Sequence, residues 1–331
     1  MKTTKTTVLI LTSGTKDRHV LIRGLIKSLS QQTIKPDEVI IATETAGYEF
    51  MKIASGYLGG VTVKVIETGY WNKCWTANKA ILKSKGDIIF LLEDDLYLTP
   101  NFIEEVLNAF RKHPEAGCVY TNCMLVFQEG ARSRGGFMGW LAKALSKLSI
   151  HESALPRMVR KINNHVIEVP VFTMSVACRR EALLKAGLYD MKVREPILGE
   201  DFDLALRIRK AGYKIVQATR AVSYHLTMQV TKGIIKYGRD PSTLMGAYET
   251  EVYFMTKNRD VLGLKNVIGH AIYRLIEAIA WGIRSRNPLA IPYGMAGAIK
   301  GFIKGYNVKT RVAMTKSRGR MEKHICQNCI N

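Results

Sequence analysis

Three consecutive acidic residues, Glu93, Asp94 and Asp95, directly follow the apolar run at residues 88–92. Their charges repel one another at this spacing, so a bound cation would explain why they stand together. In an extended chain, alternation points Glu93 and Asp95 to one side and Asp94 to the other. Two carboxylates beside open coordination positions suit Mg²⁺ or Mn²⁺ shared with a diphosphate. The alternative is a solvated acidic turn before a helix that begins near Pro100.

A second acidic group occurs further along the chain, at Glu200, Asp201 and Asp203. The residues that follow have helical spacing and end in cations and Gly212, so these acids occupy the first turn of a predicted helix. They could simply interact favourably with the helix dipole. Together with the first group, however, they would place carboxylates on two separate segments. That arrangement suits chemistry in which a metal ion and a proton-accepting base act at different positions.

Short apolar runs alternate with helical patterns in the N-terminal part of the chain. The runs that resemble buried parallel strands are residues 8–11, 38–42, 61–66 and 87–92. Residues 20–29 and 75–83 have the apolar spacing of helices. This order predicts an α/β fold with a doubly wound, mostly parallel sheet and flanking helices. Ligands of such sheets bind beyond the carboxyl ends of the strands, which is where the first acidic group lies.

Composition and charge restrict the partners. The chain has 331 residues, 47% of them hydrophobic, and a formal net charge of +21, of which residues 226–331 carry +11. This composition is globular rather than disordered. A local basic excess indicates an anionic partner: nucleic acid, acidic lipid or a phosphate-bearing substrate. We find no nucleic-acid-binding module and expect no nucleic acid. A solvated basic surface is the plainer alternative.

The sequence predicts a cytoplasmic location. We see no apolar run long enough for a secretory signal, and the best candidate for a spanning helix, residues 267–283, contains His270, Arg274 and Glu277. Six cysteines in a chain of this length are too sparse for a disulfide scaffold, which favours a reducing compartment. A peripheral position on the inner face of a membrane is compatible with this location.

Apolar residues near the C terminus share one face of a predicted helix that precedes Pro288. They are Val267, Ile268, Ala271, Ile272, Leu275, Ile276, Ile279, Ala280 and Ile283. Packing against the core is one explanation, and interfacial binding to an anionic membrane is the other. Residues 289–303 form a second apolar segment, followed by a basic run at residues 309–320. Residues 137–148 form a similar basic amphipathic stretch.

The ordered set of motifs resembles the family 2 glycosyltransferases of GT-A fold. The segments that carry the resemblance are Thr12-Ser13 with Arg18, the stretches 28–33 and 36–39, Asn78, Glu93-Asp94-Asp95, residues 187–190, and Gly199-Glu200-Asp201-Phe202-Asp203 with Arg207. The resemblance covers roughly residues 6 to 260. It implies a Rossmann-like GT-A catalytic domain over residues 1–228, followed by a basic, helical C-terminal region over residues 229–331.

The resemblance also implies roles for individual residues. Asp95 would bind the divalent metal, Glu93 would face the metal or the nucleotide ribose, and His225 would contact the metal or the diphosphate. Asp201 matches the family's general base, and Glu200 would shape the acceptor pocket. The remaining residues expected to bind the donor nucleotide are Thr12, Ser13, Arg18, Glu44, Asn78 and Asp94.

The implied reaction is the inverting transfer of a sugar from a nucleoside diphosphate sugar to a hydroxyl of a glycan or lipid-linked glycan, with Mg²⁺ or Mn²⁺. Two positions depart from the family pattern: Glu44 stands where an acidic pair is common, and Glu93 replaces Asp. The Gln-x-x-Arg-Trp element of processive synthases is not evident, which favours one or a few transfers. A nucleotidyltransferase on a similar sheet and a non-catalytic protein that binds nucleic acid or glycan are the alternatives.

Overall fold

A computed structural model describes residues 4–126, 166–173, 175–193, 195–226 and 240–308. The amphipathic stretch at residues 137–148, the boundary predicted between residues 228 and 229, and the basic run from residue 309 onward lie outside these residues.

The N-terminal half is a parallel βα arrangement, as predicted. Its strands are β1 (Thr6–Thr12), β2 (Glu38–Thr43), β3 (Thr62–Glu67) and β4 (Ile88–Glu93), and its helices are α1 (Arg18–Ser30), α2 (Gly47–Tyr57) and α3 (Lys73–Lys83). The strands pair in the order β3-β2-β1-β4, all parallel. Every residue of β1 and β2 is buried, which explains why both read as continuous apolar runs. α3 begins at Lys73 rather than at residue 75.

The second half of the sheet mixes strand directions. Its elements are β5 (Leu96–Leu98), α4 (Phe102–Lys112), β6 (Ala116–Val126), β7 (Val166–Glu168), β8 (Val176–Arg179), α5 (Arg180–Lys185), α6 (Glu200–Lys210) and β9 (Lys214–Leu226). β8 lies antiparallel between β4 and β6. β9 pairs parallel with β6 and antiparallel with β5 and β7. β9 continues to Leu226, so His225 lies within this strand.

Apolar side chains pack on both faces of the sheet. Alternation along β1 sends Leu9 to the face covered by α3 and α6, and Val8 and Ile10 to the face covered by α1, α2 and α4. Helical spacing supplies the opposing residues, for example Ile81 of α3 and Leu25 of α1. Because helices cover both faces of the sheet, we expect the candidate site at the strand ends.

One disulfide, between Cys118 and Cys178, joins the neighbouring strands β6 and β8. The cysteine count predicts no disulfide scaffold, and among the four described cysteines this pair forms because the antiparallel register sets the two residues opposite each other. Cys74 and Cys123 are free and buried.

Helices follow the sheet, as predicted. They are α7 (Pro241–Lys257), α8 (Arg259–Leu262), α9 (Leu264–Arg284) and α10 (Ala290–Tyr306). The Asp240 side chain caps α7 by accepting a hydrogen bond from Ser242 N at 3.1 Å. α10 lies so close to α7 that a Cβ at Gly297 or Gly301 would collide with a backbone carbonyl of α7. None of the described helices has the length and apolar character needed to span a membrane.

Candidate active site

The first acidic group and two members of the second, Glu200 and Asp201, line one cavity of about 610 Å³. Asp203, the third member, is buried outside this lining and pairs with Arg207 and Lys257. Its walls come from the ends of β1 and β4, the start of α3 and the start of α6. The lining residues are Leu11, Thr12, Ser13, Arg18, Trp71, Lys73, Glu93, Asp94, Asp95, Thr173, Glu195, Ile197, Leu198, Gly199, Glu200, Asp201 and Phe202. The cavity therefore lies where a doubly wound sheet binds its ligands, beyond the carboxyl ends of parallel strands.

Glu93, Asp95 and His225 form a group that could hold a metal ion. One ligand atom from each lies within 4.8 Å of the others. His225 reaches the acidic strand end because β5 and β9 are antiparallel and Leu96 pairs with His225. His225 Nε2 lies 3.1 Å from Asp95 Oδ1 and 4.0 Å from Glu93 Oε2.

The chemistry of this group fits a divalent cation. Asp95 Oδ1 is buried and accepts no well-aligned hydrogen bond from the described part of the chain, although His225 Nε2 lies 3.1 Å away. Burial alone would raise the pKa of Asp95, but His225 and Arg18 outweigh it and the pKa lies below its usual value. Burial would lower the pKa of His225, but Asp95 and Glu93 raise it overall. Two carboxylates and an imidazole supply three ligands and leave positions for diphosphate oxygens.

Arg18, from the first turn of α1, holds the remaining acid of the strand end. Its Nη1 lies 2.9 Å from Asp94 Oδ1 and 3.3 Å from Asp95 Oδ2. Burial raises the pKa of Asp94 to about 7, although Arg18 acts in the opposite direction. Arg18 thus separates Asp94 from the metal-suited group and adds a positive charge to the cavity wall.

Lys73 lies between the two acidic groups, and it is not among the site residues predicted from the sequence. Its Nζ lies 2.9 Å from Glu93 Oε1, 2.5 Å from Glu200 Oε1 and 3.6 Å from Asp201 Oδ2. Burial would lower the pKa of Lys73, but the carboxylates of Asp201, Glu200 and Glu93 outweigh it and raise the pKa well above its usual value. The ammonium group therefore stays charged between carboxylates of both groups.

The start of α3 fixes the position of Lys73. The Asn72 side chain caps the helix by accepting a hydrogen bond from Trp75 N at 2.9 Å. The backbone N–H of Lys73 donates to Glu195 Oε1 at 2.9 Å. Asn72 is the signal that could have located Lys73. An Asn just before a predicted helix indicates a cap, and the next residue then begins the helix at the carboxyl edge of the sheet.

Asp201 and Glu200 stand in the first turn of α6. The preceding Gly199 has φ 86°, a left-handed conformation that favours glycine and lets the chain turn into the helix. Tyr189 Oη donates to Asp201 Oδ1 at 2.8 Å, while the other carboxylate oxygen faces Lys73. Burial raises the pKa of Glu200 to about 7, against the lowering effect of Lys73.

Two residues expected to bind the donor lie outside this cavity lining. The buried amide of Asn78 donates to Tyr189 O at 2.8 Å and accepts from Tyr189 N at 2.9 Å. Asn78 thus holds the backbone of Tyr189, and its direct contact with a donor stays a prediction. Glu44 follows β2, where its carbonyl accepts a hydrogen bond from Gly69 N at 2.9 Å, and its contact with a nucleotide stays a prediction.

A sequence model described as glycosyltransferase like family 2 matches residues 5–239, well over half of the chain. The chain belongs to glycosyltransferase-like family 2. The match contains both acidic groups, Lys73 and His225. This membership confirms the resemblance seen in the sequence.

Curated relatives of this family 2 chain include two O-antigen proteins. The chain is 26% identical over 202 residues to the O-antigen chain rhamnosyltransferase WbaN of Salmonella anatum, covering 60% of this chain and 59% of that protein. It is 24% identical over 208 residues to the O-antigen biosynthesis protein RfbC of Myxococcus xanthus, covering 61% of this chain and 16% of that protein. The chain thus spans less than two thirds of either relative.

The fold is also similar to that of a solved structure, the crystal structure of GalNAc-T7 with UDP, GalNAc and Mn²⁺. The TM-score is 0.53 at 16% sequence identity, over 99% of this chain and 57% of that chain. At this identity the likeness concerns the fold alone. It confirms the predicted GT-A architecture, with a mostly parallel sheet and flanking helices.

Proposed function

We propose that this family 2 member transfers a sugar from a nucleoside diphosphate sugar to a hydroxyl group of a glycan or lipid-linked glycan, with inversion at the anomeric carbon. One observation carries the proposal: Glu93 and Asp95, the two carboxylates of the group suited to a divalent metal, line the same cavity as a separate carboxylate, Asp201. The names of the O-antigen relatives, and the UDP and Mn²⁺ bound by GalNAc-T7, support this substrate class.

The donor diphosphate would lie at the β4 end of the cavity. Asp95, Glu93 and His225 would hold Mg²⁺ or Mn²⁺, which when bound neutralises charge on the leaving diphosphate. Arg18 and Lys73 contribute positive charge on the same wall. Thr12 and Ser13, at the end of β1, line the adjoining surface and would contact the nucleotide.

The acceptor hydroxyl would lie at the α6 end. Its proton would go to the carboxylate of Asp201, a general-base step that contributes about 10² to 10⁴ in rate. Tyr189 fixes one oxygen of Asp201 by donating a hydrogen bond to Oδ1. Because the base and the metal group occupy different walls, the hydroxyl would attack the anomeric carbon opposite the leaving diphosphate, and this geometry inverts the anomeric centre.

A thermal-shift screen of nucleoside diphosphate sugars with and without Mn²⁺ or Mg²⁺ tests this proposal. We expect one nucleotide class to raise the melting temperature only when metal is present, because a ligand that binds the native state stabilises it. Asp95→Asn and His225→Ala should lose this metal-dependent shift. Glu49→Gln, which changes an exposed acid on α2, serves as the matched control. Metal-independent stabilisation, or none by any sugar nucleotide, would contradict the proposal.

A further inference from the structure

Between residues 266 and 283, helix α9 turns its titratable side chains toward the protein. His270 is fully buried, and its Nε2 lies 3.7 Å from Oε1 of the buried Glu251 of α7. Arg274 pairs with the same carboxylate, with Nη2 2.5 Å from Oε1. Tyr248 of α7 donates a hydrogen bond to Glu277 at 2.8 Å. Ionic contacts therefore form part of the interface between α9 and α7, beside a buried cluster of Leu244, Tyr248 and Ala278.

The opposite face of α9 is an exposed row of isoleucines, which we call the isoleucine ridge. From residue 268 to residue 283, the exposed side chains are Ile268, Ile272, Ile279 and Ile283, at 42% to 66% exposure. Their spacing places them on one side of the helix. A surface helix normally shows the reverse pattern, with its apolar stripe inward and its polar residues in water. This face of α9 is therefore suited to an apolar environment.

Helix α10 extends the apolar surface. It forms a hairpin with α9, because Gly294 packs against Ala278 and Ile291 packs against Gly282. Its exposed apolar side chains, together with the residue just before it, are Leu289, Tyr293, Ile299, Ile303 and Tyr306. The hairpin therefore carries large apolar side chains along the outer sides of both helices.

Positive charge surrounds this apolar surface. Lys265, Arg286 and Lys300 are exposed beside it. Residues 264–308 contain six Lys or Arg against one acidic residue, and residues 309–331, which follow directly, contain another six against one. A second copy of the chain would bring like charges together, whereas an anionic surface would neutralise them. Nucleic acid would match the charge but not the isoleucines.

We propose that the α9–α10 hairpin docks this protein on an anionic lipid surface, with the isoleucine ridge entering the boundary between headgroups and acyl chains. One face of α9 is already packed against α7, so the helix would lie along the surface with its other face in lipid. Lysine and arginine would meet the lipid phosphates. The proposal rests on the geometry of the hairpin and does not depend on the transferase activity.

Flotation with lipid vesicles tests the docking. We expect the full chain to float at low salt with vesicles of phosphatidylcholine mixed with phosphatidylglycerol, and not with phosphatidylcholine alone. The variant Ile272→Ser/Ile279→Ser/Ile283→Ser should lose about tenfold or more in partitioning, because three apolar side chains no longer enter the lipid. Val20→Ser/Tyr48→Ser, which removes exposed apolar groups from α1 and α2, should float like the wild type.

Two controls keep the outcomes distinct. The triple variant should keep its thermal unfolding transition and its metal-dependent response to sugar nucleotides, so a loss of flotation reports the surface rather than the fold or the site. A wild-type chain that stays unbound at low salt, or a triple variant that floats equally well, would overturn the proposal. A wild-type dimer that the triple substitution converts to a monomer, without flotation of either, would also overturn it in favour of a second copy.

Discussion

At the scale of single residues, Lys73 supplies the positive charge that stabilises two acidic groups close together in one cavity. Glu93, Glu200 and Asp201 all lie within 3.6 Å of its ammonium group. Without a cation between them, burial and mutual repulsion would favour protonation of these carboxylates. Even with Lys73 present, the pKa of Glu200 is raised to about 7.

Replacing Lys73 by Met should therefore lower turnover. We expect a loss of roughly 10- to 100-fold, on the scale of a charge-assisted hydrogen bond. The pKa of Glu200 should also rise, because Lys73 lowers it in the native protein. If ionised Glu200 is required, the ascending limb of the pH–rate profile moves to higher pH. Steady-state kinetics across a pH series measures both effects.

Lys83→Met, on an exposed position of the same helix, is the control for this substitution, and Lys73→Arg keeps the charge. We expect near-native rates from the first and partial activity from the second. A Lys73→Met enzyme with an unchanged rate and pH profile would show that Lys73 has no part in the site.

The sequence revealed the acids more readily than the lysine. Glu93 to Asp95 and Glu200 to Asp201 stand at element ends, where their clustering is visible without coordinates. Lys73 is one of 49 Lys and Arg residues, and the predicted helix began two residues too late to place it at a helix start. The likeness of Asn78 to a family motif located a residue near the site, but the sequence did not show that its amide holds the backbone of Tyr189.

At the scale of elements, α7 supports the loop that precedes α6. Asp190, next to Tyr189, accepts hydrogen bonds from Tyr253 Oη at 2.8 Å and Lys257 Nζ at 2.7 Å, both from α7. Burial would raise the pKa of Asp190, but the charge and hydrogen bond of Lys257 outweigh it and lower the pKa to about 2. This contact ties the C-terminal helices to the loop that carries Tyr189.

Asp190→Asn should destabilise the protein in a pH-dependent way. A carboxyl whose pKa is lower in the folded state stabilises it above the unfolded pKa and loses that effect as the pH falls toward the folded value. We expect a loss of about 2 kcal/mol in the free energy of unfolding at pH 7, shrinking below about pH 4. Denaturant unfolding of both proteins at several pH values measures the difference.

Asp260→Asn provides a comparison, because Asp260 pairs with Lys210 at 2.7 Å in an exposed position. Exposed pairs contribute about 0–1 kcal/mol. Equal losses from both variants, or a loss from Asp190→Asn that does not change with pH, would contradict the role given to the α7 contact.

The four parallel strands of the N-terminal half could be predicted, whereas the short strands of the mixed half could not. β1, β2 and β4 are buried on both faces and read as continuous apolar runs, whereas β5 has only three residues and β8 only four. The C-terminal end of β9 contains the buried polar residues Ser223 and His225, which interrupt the apolar run expected of a buried strand. In α9 the predicted apolar set divides between the buried Val267 and the exposed isoleucines, because periodicity does not say which apolar residues meet the core and which meet an external surface.

At the scale of the whole molecule, α7 connects the candidate active site to the α9–α10 hairpin. Its Thr250 hydroxyl accepts a hydrogen bond from Leu198 N at 3.1 Å, beside the start of α6. The next residue, Glu251, pairs with Arg274 of α9. A hairpin on lipid would thus hold the cavity near a membrane surface, which suits a lipid-linked acceptor.

The account depends most on Asp201 acting as a base opposite a metal-bound donor. The direct measurement is sugar transfer by Asp201→Asn, beside Asp95→Asn, with the sugar nucleotide that gives the largest metal-dependent thermal shift. We expect Asp201→Asn to lose about 10² to 10⁴ in transfer rate while binding donor and metal as the wild type does. Asp95→Asn should instead lose metal-dependent donor binding. Near-native transfer by Asp201→Asn, with donor binding intact, would contradict the account.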